Sequence, residues 1–294
     1  VDKQGREYAI VGVENGTSFV EVSQSHNIHE HAFINGVSSL WRDMKTLGDW
    51  LYIIADRGDG GMQIVDLSGL PATVSLAATY TNFKNAHNLF IDEDRALAFI
   101  VGTRIGNGGL RIYDLNNPTA PVVAGAYDPH YIHDVHVRGN TAYTFDTDKG
   151  VTILDVANPA AIKVQQTFTY PGLEYAHSGW ASEDGNLLAV CDEFDESRRT
   201  TPQTRVLFYR RAGPGHDFQP IGEYLGPNRA IDHNIFFDGG RAVLSNYTYG
   251  LVVLDIADPA APTFYGKNEA TPPSSPGPGA PTPTSPAAKS SSPT

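Results

Sequence analysis

The 294-residue sequence contains one cysteine, two methionines and no long apolar run. A single cysteine excludes an intrachain disulfide and a thiolate zinc site, and Cys191, within an apolar segment, is predicted to be buried. No stretch approaches the ~18–20 consecutive apolar residues that a membrane-spanning helix needs. Basic residues are also few: 21 Lys and Arg against 33 Asp and Glu give a formal net charge of −12. Nucleic-acid binding depends on clustered basic residues, so we exclude it as the default function.

Three common catalytic signatures are missing as well. The sequence has no Gly-x-Ser-x-Gly elbow, no His-Glu-x-x-His motif and no glycine-rich phosphate-binding loop. Serine-hydrolase, zincin and nucleotide-dependent functions therefore have no support.

The composition changes near residue 268. Residues 271–294 are Pro, Ser, Thr, Ala and Gly, with Lys289 as their one charged residue. Such a segment cannot bury a core and favours extended conformations, so we expect a folded domain over 1–267 and a disordered linker or stalk over 268–294. Stalks of this composition carry O-glycans on exported proteins. This favours a stalk on an extracellular or cell-envelope protein over a tail without a role.

The region before residue 268 repeats itself. Six segments share an apolar strand that runs into a polar or acidic residue, at intervals of 41 to 54 residues: 16–21, 61–66, 109–114, 150–155, 204–209 and 250–255. A second β-forming segment precedes each of them, at 8–12, 50–54, 97–101, 142–145, 187–190 and 242–245. No window shows a convincing helical stripe, so we expect almost no helix. Short strands at this period predict an all-β propeller of four-stranded blades with six blades, or an incomplete seven-bladed one.

A third element opens each of the last five units. In register, its first position reads Arg42, His87, His133, His177 and His233, and its second reads Asp43, Asn88, Asp134, Ser178 and Asn234. The opening strand of a propeller blade lines the central channel, so these side chains are expected to form a ring near one mouth, joined by His136 and Asp232.

Imidazole is a good ligand for Zn, Mn, Cu or Fe, whereas Ca²⁺ prefers oxygen. The four histidines are therefore candidate metal ligands. Arg42, Asp43, Asn88, Asp134 and Asn234 are candidate ligand-binding residues, with Arg42 suited to an anion. The alternative is that these polar groups only tie the blades together.

Two other clusters are expected to be solvated. His26, His29 and His31 are predicted to lie in a polar loop. Asp192 to Glu196 begin a polar insert that ends at Gln203, and this acidic run does not have the spaced oxygen ligands of a calcium loop.

Eight segments, in order, resemble the LVIVD-repeat propellers, and more closely the choice-of-anchor B proteins: 41–45, 61–67, 86–89, 109–114, 133–134, 177–180, 192–196 with 204–205, and 230–234. The resemblance covers about residues 5–265 and implies an exported propeller with a variable C-terminal anchor. It implies no activity.

Family members also have a strand before the segment that matches 8–13 and a seventh unit. A six-bladed ring here would have to complete its first blade with the strand around 263–265; otherwise open strand edges would favour self-association.

Three functions follow as hypotheses. The leading one is a non-enzymatic surface propeller that binds a metal ion, a small polar or anionic ligand, or a surface protein or polysaccharide at the channel mouth. The second is a metal-dependent lyase or hydrolase of an acidic polysaccharide, in which Arg42 neutralises the substrate and Asp134 or His136 moves the proton. The third is a structural surface-layer or filament subunit.

Overall fold

Segments rich in β-branched and aromatic residues form the blades. The structure, a computed structural model, describes residues 1–268. Blade 1 has three strands, β1 (Tyr8–Val13), β2 (Gly16–Glu21) and β3 (His29–Asn35). Blade 2 consists of β4 (Arg42–Leu47), β5 (Trp50–Ala55), β6 (Met62–Asp66) and β7 (Ser75–Tyr80). Blade 3 consists of β8 (Asn88–Asp92), β9 (Leu97–Val101), β10 (Leu110–Asp114) and β11 (Val122–Tyr127).

The remaining three blades have the same antiparallel order. Blade 4 consists of β12 (Asp134–Arg138), β13 (Thr141–Phe145), β14 (Val151–Asp155) and β15 (Lys163–Phe168). Blade 5 consists of β16 (Ala176–Ala181), β17 (Leu187–Asp192), β18 (Arg205–Arg210) and β19 (Gln219–Leu225). Blade 6 consists of β20 (Asp232–Asp238), β21 (Arg241–Asn246), β22 (Gly250–Asp255) and β23 (Thr263–Asn268). The six-bladed, all-β prediction is confirmed.

Helix is almost absent within residues 1–268, as predicted. The helical elements there are a 3₁₀ turn, Pro159–Ala161, and one short helix, α1 (Asp195–Arg198). None of the described helices is long and apolar enough to cross a membrane. The predicted linker over 268–294 lies, apart from Asn268, outside the described residues.

The blade cores lie between neighbouring sheets. The second strand of blades 2 to 5 is buried at nearly every position because both of its faces are covered. Five apolar clusters join consecutive blades, and each contains an aromatic side chain at most 1% exposed: Phe19, Tyr113, Phe99, Phe145 and Phe208. The opening strands β4, β8, β12, β16 and β20 contact one another in succession, so they line the centre as predicted.

The first blade is not completed as expected. The C-terminal strand β23 pairs with β22, where Asp255 opposes Thr263, and so forms the outer edge of blade 6. Blade 1 keeps three strands and has no opening strand, so β1 lies beside β4. The short connection from β22 to β23 favours this hairpin because closing a short loop costs less entropy than closing one over the whole chain.

Four of the six repeats, those of blades 2, 3, 4 and 6, end in a turn that an aspartate stabilises. The Oδ1 atoms of Asp66, Asp114, Asp155 and Asp255 accept hydrogen bonds of 2.7–3.0 Å from the backbone N–H two residues later. Asn158 and Asp258, before the prolines, accept the same bond from Ala160 and Ala260. The repeated acid is therefore a turn residue rather than a site residue.

The glycine that opens the third strand is required by its backbone. Gly150 has a φ of +89°, and a Cβ atom there would overlap the carbonyl oxygen of Phe168 on the neighbouring strand. Gly61 has the same conformation against Tyr80. The repeat keeps glycine here because two strands begin to pair at a point where no side chain fits.

We expect Gly150→Ala to lower the free energy of unfolding by about 2–4 kcal/mol, since it adds backbone strain to a steric overlap. Urea denaturation followed by tryptophan fluorescence measures this change. Gly240→Ala is the matched control, because Gly240 has no positive φ and a Cβ there would meet open space. Equal stability of the two variants would contradict the explanation.

Candidate functional site

A β-bulge at the start of the opening strands places the histidines. In blade 5 the pairing shifts between Ala176 and Ser178, and in blade 6 between Asp232 and Asn234, which leaves His177 and His233 as the extra residues. His133 follows a related pattern, because its N–H donates to Phe145, the residue paired with Asp134. A bulge bends the strand and redirects its side chain. The histidines therefore turn towards one another.

The four imidazoles form a continuous arc across blades 3 to 6. Successive ring centroids are 3.9 Å apart for His87 and His133, 4.4 Å for His133 and His177, and 4.2 Å for His177 and His233. Ligand atoms of His87, His133 and His177 lie within 4.8 Å of one another, and so do those of His177, His233 and Glu193. The predicted convergence of the four histidines is what the structure shows.

Neighbouring polar groups orient three of these rings. Nδ1 of His87 lies 3.0 Å from Asp56, and Nδ1 of His177 donates to the carbonyl oxygen of His233 at 3.1 Å. Two tyrosine hydroxyls contact Nδ1 of His133, those of Tyr131 at 3.1 Å and Tyr175 at 2.9 Å. A hydrogen bond at Nδ1 fixes the ring and leaves Nε2 available to a ligand, as in metal sites whose histidines are held by outer residues.

The site leaves imidazole nitrogens without partners. Nε2 of His133 and Nδ1 of His233 are buried, and neither has a hydrogen-bond partner among residues 1–268. Nε2 of His177 lies 3.7 Å from the carboxylate of Glu193. Burying a polar atom without a partner costs about 1–3 kcal/mol, so these nitrogens favour a ligand that accepts their lone pairs.

His133, His177 and His233 are uncharged at neutral pH. Burial, followed by repulsion from neighbouring imidazoles, lowers the pKa of His177 and of His233 to about 3. The same two causes lower the pKa of His133 well below its ordinary value. A neutral imidazole has the lone pair that a metal ion needs, so these three side chains need no change of protonation to bind one.

Two of the side chains that follow the Arg/His position in the opening strands, Asp43 and Asn88, connect neighbouring blades. Asp43 accepts a 2.9 Å hydrogen bond from the backbone N–H of Leu89 in blade 3. Asn88 accepts a longer one, 3.4 Å, from Val135 in blade 4. Asp43 also accepts a 2.6 Å bond from Lys45. These contacts show how the inner strands are held together, and a role of either side chain towards a ligand stays a prediction.

Asp134 and Asn234 have different surroundings. Burial, with the Asp43 carboxylate as the second cause, raises the pKa of Asp134 to about 7. Its Oδ1 accepts a 2.6 Å bond from the N–H of Val135. Asn234 donates its backbone N–H to Ser245 at 3.1 Å. Asp134 is thus the second-position residue whose protonation changes near neutral pH.

The structure places Arg42 against blade 1. Arg42 pairs regularly with Ala55, and its guanidinium donates to the backbone carbonyls of Val13, Glu14 and Val37 at 2.6–3.3 Å. These bonds tie blade 2 to the loops of blade 1. A ligand-binding role for Arg42 stays a prediction, with three of its donors already engaged.

His136 lies apart from the arc, between blades. Its ring is 2% exposed and packs on Trp180 at a centroid distance of 4.0 Å and on Phe90 at 5.1 Å. Burial lowers the pKa of His136 well below its ordinary value. The aromatic contacts give it a packing role, and its predicted proton transfer remains untested.

Several residues around the arc were missed in the sequence. Asp56 contacts His87, and Glu193 lies near His177. The Tyr247 hydroxyl donates to Glu193. A signal exists for two of them: Asp56 and Glu193 each follow directly on a buried second strand, as Asp146 does in blade 4. Repeat alignment at that position would have found the acids, although not the tyrosines.

Of the two clusters expected to be solvated, the first is confirmed in part and the second differs. His26 lies in a loop and is exposed as predicted, and His29 is exposed as well, but His29 and His31 belong to strand β3 and come close enough to Glu21 to share an ion. Asp195 and Glu196 are buried, with 0% and 3% of their surfaces exposed, because the insert folds back over blades 5 and 6. Cys191 is fully buried, as predicted.

A cleft of about 640 Å³ opens beside the arc. Two of its lining residues touch the imidazoles, since Asp56 contacts His87 and Tyr131 contacts His133. Arg57 and Arg104 line it as well, and the Arg57 guanidinium lies 4.8 Å from the centre of the Trp41 ring. Two guanidiniums and an aromatic wall suit an anionic ligand with a planar or ring-shaped body.

Comparison with solved structures gives the fold. A protein from Lactobacillus plantarum is 15% identical, with a TM-score of 0.69 over 90% of this chain and 82% of its own. The periplasmic gluconolactonase of Pseudomonas aeruginosa is 12% identical, with a TM-score of 0.69 over 88% and 80%. A chain of the nidogen–laminin complex is 9% identical, with a TM-score of 0.58 over 88% and 92%. Identities this low establish the shared fold alone.

No curated protein matches the chain. A family model does: the LVIVD repeat matches residues 42–82, 104–129, 131–169 and 242–269, each within the strands of one blade. The chain is therefore a six-bladed β-propeller that carries LVIVD repeats.

Proposed function

We propose that this propeller binds one divalent transition-metal ion through His87, His133, His177 and His233 at the centre of the ring. The observation that supports the proposal most directly is the arc of four contacting imidazoles. His133 and His177 are buried, and no residue among 1–268 satisfies Nε2 of His133 or Nδ1 of His233. Metal–imidazole bonds are about 2.0–2.1 Å, so two ligands of one ion lie within about 4.2 Å. The ligand atoms of each triad, three nitrogens in the first and two nitrogens with a Glu193 oxygen in the second, lie within 4.8 Å of one another, and small ring rotations would close that gap.

The donor set favours Zn, Cu, Fe or Mn over Ca²⁺. Imidazole nitrogens are borderline-soft ligands, and Glu193 would add one carboxylate beside them. Imidazole binds a metal in its neutral form, so a bound dication would keep a net positive charge that Glu193 partly offsets. An electropositive centre of this kind would attract an anionic ligand into the cleft next to it.

The composition of residues 268–294 supports a place for this protein outside the cytoplasm, at the cell surface or in the cell envelope. A non-enzymatic role there is binding, in which the metal and the arginine-lined cleft hold an anionic group of a small molecule, a polysaccharide or a surface protein.

We expect the purified chain to contain about one equivalent of a transition metal, or to take up one equivalent of Zn²⁺ after treatment with a chelator. His133→Ala and His177→Ala should each weaken Zn²⁺ binding at least ~100-fold, more than the 10–100-fold effect of an outer residue. Elemental analysis and competition with a zinc-sensitive dye measure both quantities. His216→Ala, at an exposed position, is the control.

Uptake below a tenth of an equivalent of Zn²⁺, Mn²⁺, Cu²⁺ and Fe²⁺, together with a melting temperature that a chelator does not change, would refute the metal site. Equal loss of Zn²⁺ in the His216→Ala control would show instead that surface histidines bound the ion.

A metal-dependent hydrolase or lyase is the second candidate, and the cleft beside the arc favours it. Arg57 and Arg104 line that cleft, and Asp134 is a carboxyl group whose pKa of about 7 suits proton transfer at neutral pH. A bound metal would supply a Lewis acid and lower the pKa of a coordinated water. A protein named as a gluconolactonase has a similar fold, which is consistent with this candidate.

If the second candidate is correct, the Zn²⁺-loaded chain should hydrolyse or cleave uronate polymers or aldonolactones, and Arg57→Ala with Arg104→Ala should lower kcat/KM by at least about tenfold. Metal content should stay unchanged in that double variant, because neither arginine touches an imidazole. Arg42→Gln is the comparison: its three carbonyl contacts predict lower thermal stability and unchanged KM. Absence of turnover on both substrate classes with metal bound would leave the binding function as the proposal that stands.

A further inference from the structure

A second group of acidic side chains is buried between blades 5 and 6. Asp195, Glu196 and Asp232 each offer a carboxylate oxygen, and these oxygens lie within 4.8 Å of one another. None of the three side chains is more than 3% exposed. The group contains no imidazole, and Asp232 and His233, although adjacent in sequence, belong to different clusters because of the bulge between them.

Few groups outside the cluster contact these oxygens. Both oxygens of Asp232, both of Glu196 and Oδ1 of Asp195 receive no N–H or hydroxyl donor from the described residues, and their neighbours are one another and the Cys191 thiol. Oδ2 of Asp195 is held by Arg205 at 2.9 and 3.0 Å, which fixes that carboxylate. Desolvated carboxylates of this kind are among the most unfavourable groups a protein can bury unless a cation pairs with them.

Asn246 provides an amide oxygen on the same face of the sheet as Asp232. Asn246 is the cross-strand partner of Asp232, so its side chain lies on the same face of the sheet. The Asn246 side chain is 4% exposed, and its Oδ1 is buried without a hydrogen-bond partner within the described part of the chain. This amide oxygen is therefore available as a neutral ligand on the same face of the sheet as Asp232.

The local charge also fits a dication. Four carboxylates share this region with two guanidiniums: Asp192, Asp195, Glu196 and Asp232, and Arg205 and Arg229. With all four carboxyl groups ionised, as a bound cation would require, the difference is two negative charges, which one dication offsets.

We infer that Asp195, Glu196, Asp232 and Asn246 form a binding site for one Ca²⁺ ion, separate from the imidazole site. The ligands are all oxygen, from three carboxylates and one amide, which is the donor set that Ca²⁺ prefers. The thiol of Cys191 lies beside Asp232, but burial raises its pKa well above the ordinary value, so it stays protonated and is no thiolate ligand.

The site lies on the segment that carries Glu193. Helix α1 provides Asp195 and Glu196, and Glu193 precedes it by two residues on the way from β17. Ca²⁺ would therefore tie the insert to β20 and β21 and hold Glu193 near His177. The calcium ion would therefore support the imidazole centre through Glu193, without contacting the imidazoles itself.

The test uses the full chain, stripped of metals with a chelator and titrated with Ca²⁺ alone. We expect one Ca²⁺ per chain by isothermal titration and a rise in Tm of about 5–10 °C when Ca²⁺ is 100-fold above Kd. Trypsin should cut after the exposed Arg198 or Arg199 in the chelator-treated chain, and Ca²⁺ should slow this cleavage at least about tenfold.

Isosteric variants separate a cation site from an internal hydrogen-bond cluster. Asp232→Asn and Glu196→Gln should lose the Ca²⁺-dependent rise in Tm, and without Ca²⁺ they should melt at the wild-type temperature or above it, since each removes an unpaired buried carboxylate. Glu93→Gln, at an exposed carboxylate, should behave as the wild type in both conditions. His133→Ala should lose Zn²⁺ and keep the response to Ca²⁺.

Three results would overturn the inference. A wild-type chain that neither binds Ca²⁺ nor melts at a higher temperature in its presence contains no such site. An equal fall in Tm of Asp232→Asn with and without Ca²⁺ would show that protonated carboxyls bond one another instead. Stabilisation by Mg²⁺ or Mn²⁺ and not by Ca²⁺ would refute the assignment of calcium.

Discussion

The cost of burying polar atoms without partners is the constraint on which both sites in this propeller depend. Each such atom destabilises a protein by about 1–3 kcal/mol, and carboxylates cost more. Between blades 4 and 6 these atoms are grouped: Nε2 of His133 and Nδ1 of His233 at the centre, and the oxygens of Asp232 and Glu196 nearby. Five apolar interfaces supply the stability that offsets them. Other unpartnered atoms lie singly, such as Oγ1 of Thr17 in blade 1 and Oε1 of Gln63 in blade 2. The two sets between blades 4 and 6 differ from these because they are grouped by donor type, as an ion needs.

The fold could be predicted from the sequence because the repeat is a local signal. A glycine, an apolar strand and an acidic residue, in that order, specify one strand and the turn after it. Gly150 recurs because a Cβ atom would overlap the neighbouring strand, and Asp155 recurs because it accepts a hydrogen bond from the turn. Repeat register also predicted which histidines meet, since equivalent residues of successive blades must lie at equivalent heights. Arg42 followed the same register and lies elsewhere, because it pairs regularly with Ala55 and has a guanidinium long enough to reach the carbonyls of blade 1.

The rest of the site could not be predicted because it depends on contacts between distant segments. Glu196 and Asp232 are separated by 36 positions, and neither has a repeat equivalent that binds anything. The run from Asp192 to Glu196 appeared to be a solvated acidic insert because composition reports polarity, not burial. Whether an acidic run is covered depends on how the insert folds back, and here α1 carries it under the loop of Arg229, which donates to the carbonyl of Glu196. The predicted pairing of β23 with blade 1 was wrong for a similar reason, because the sequence shows that a strand forms but not which strand it pairs with.

The two proposed ions would occupy neighbouring sites without competing, because the donor atoms differ. Neutral imidazoles at the centre bind transition metals and have little affinity for Ca²⁺, whereas buried carboxylates and an amide oxygen favour Ca²⁺. The bulge at His233 is what separates them: it directs His233 to the arc while Asp232, one residue earlier, pairs with Asn246. Blade 6 would thus supply one ligand to each proposed site from adjacent residues of one strand.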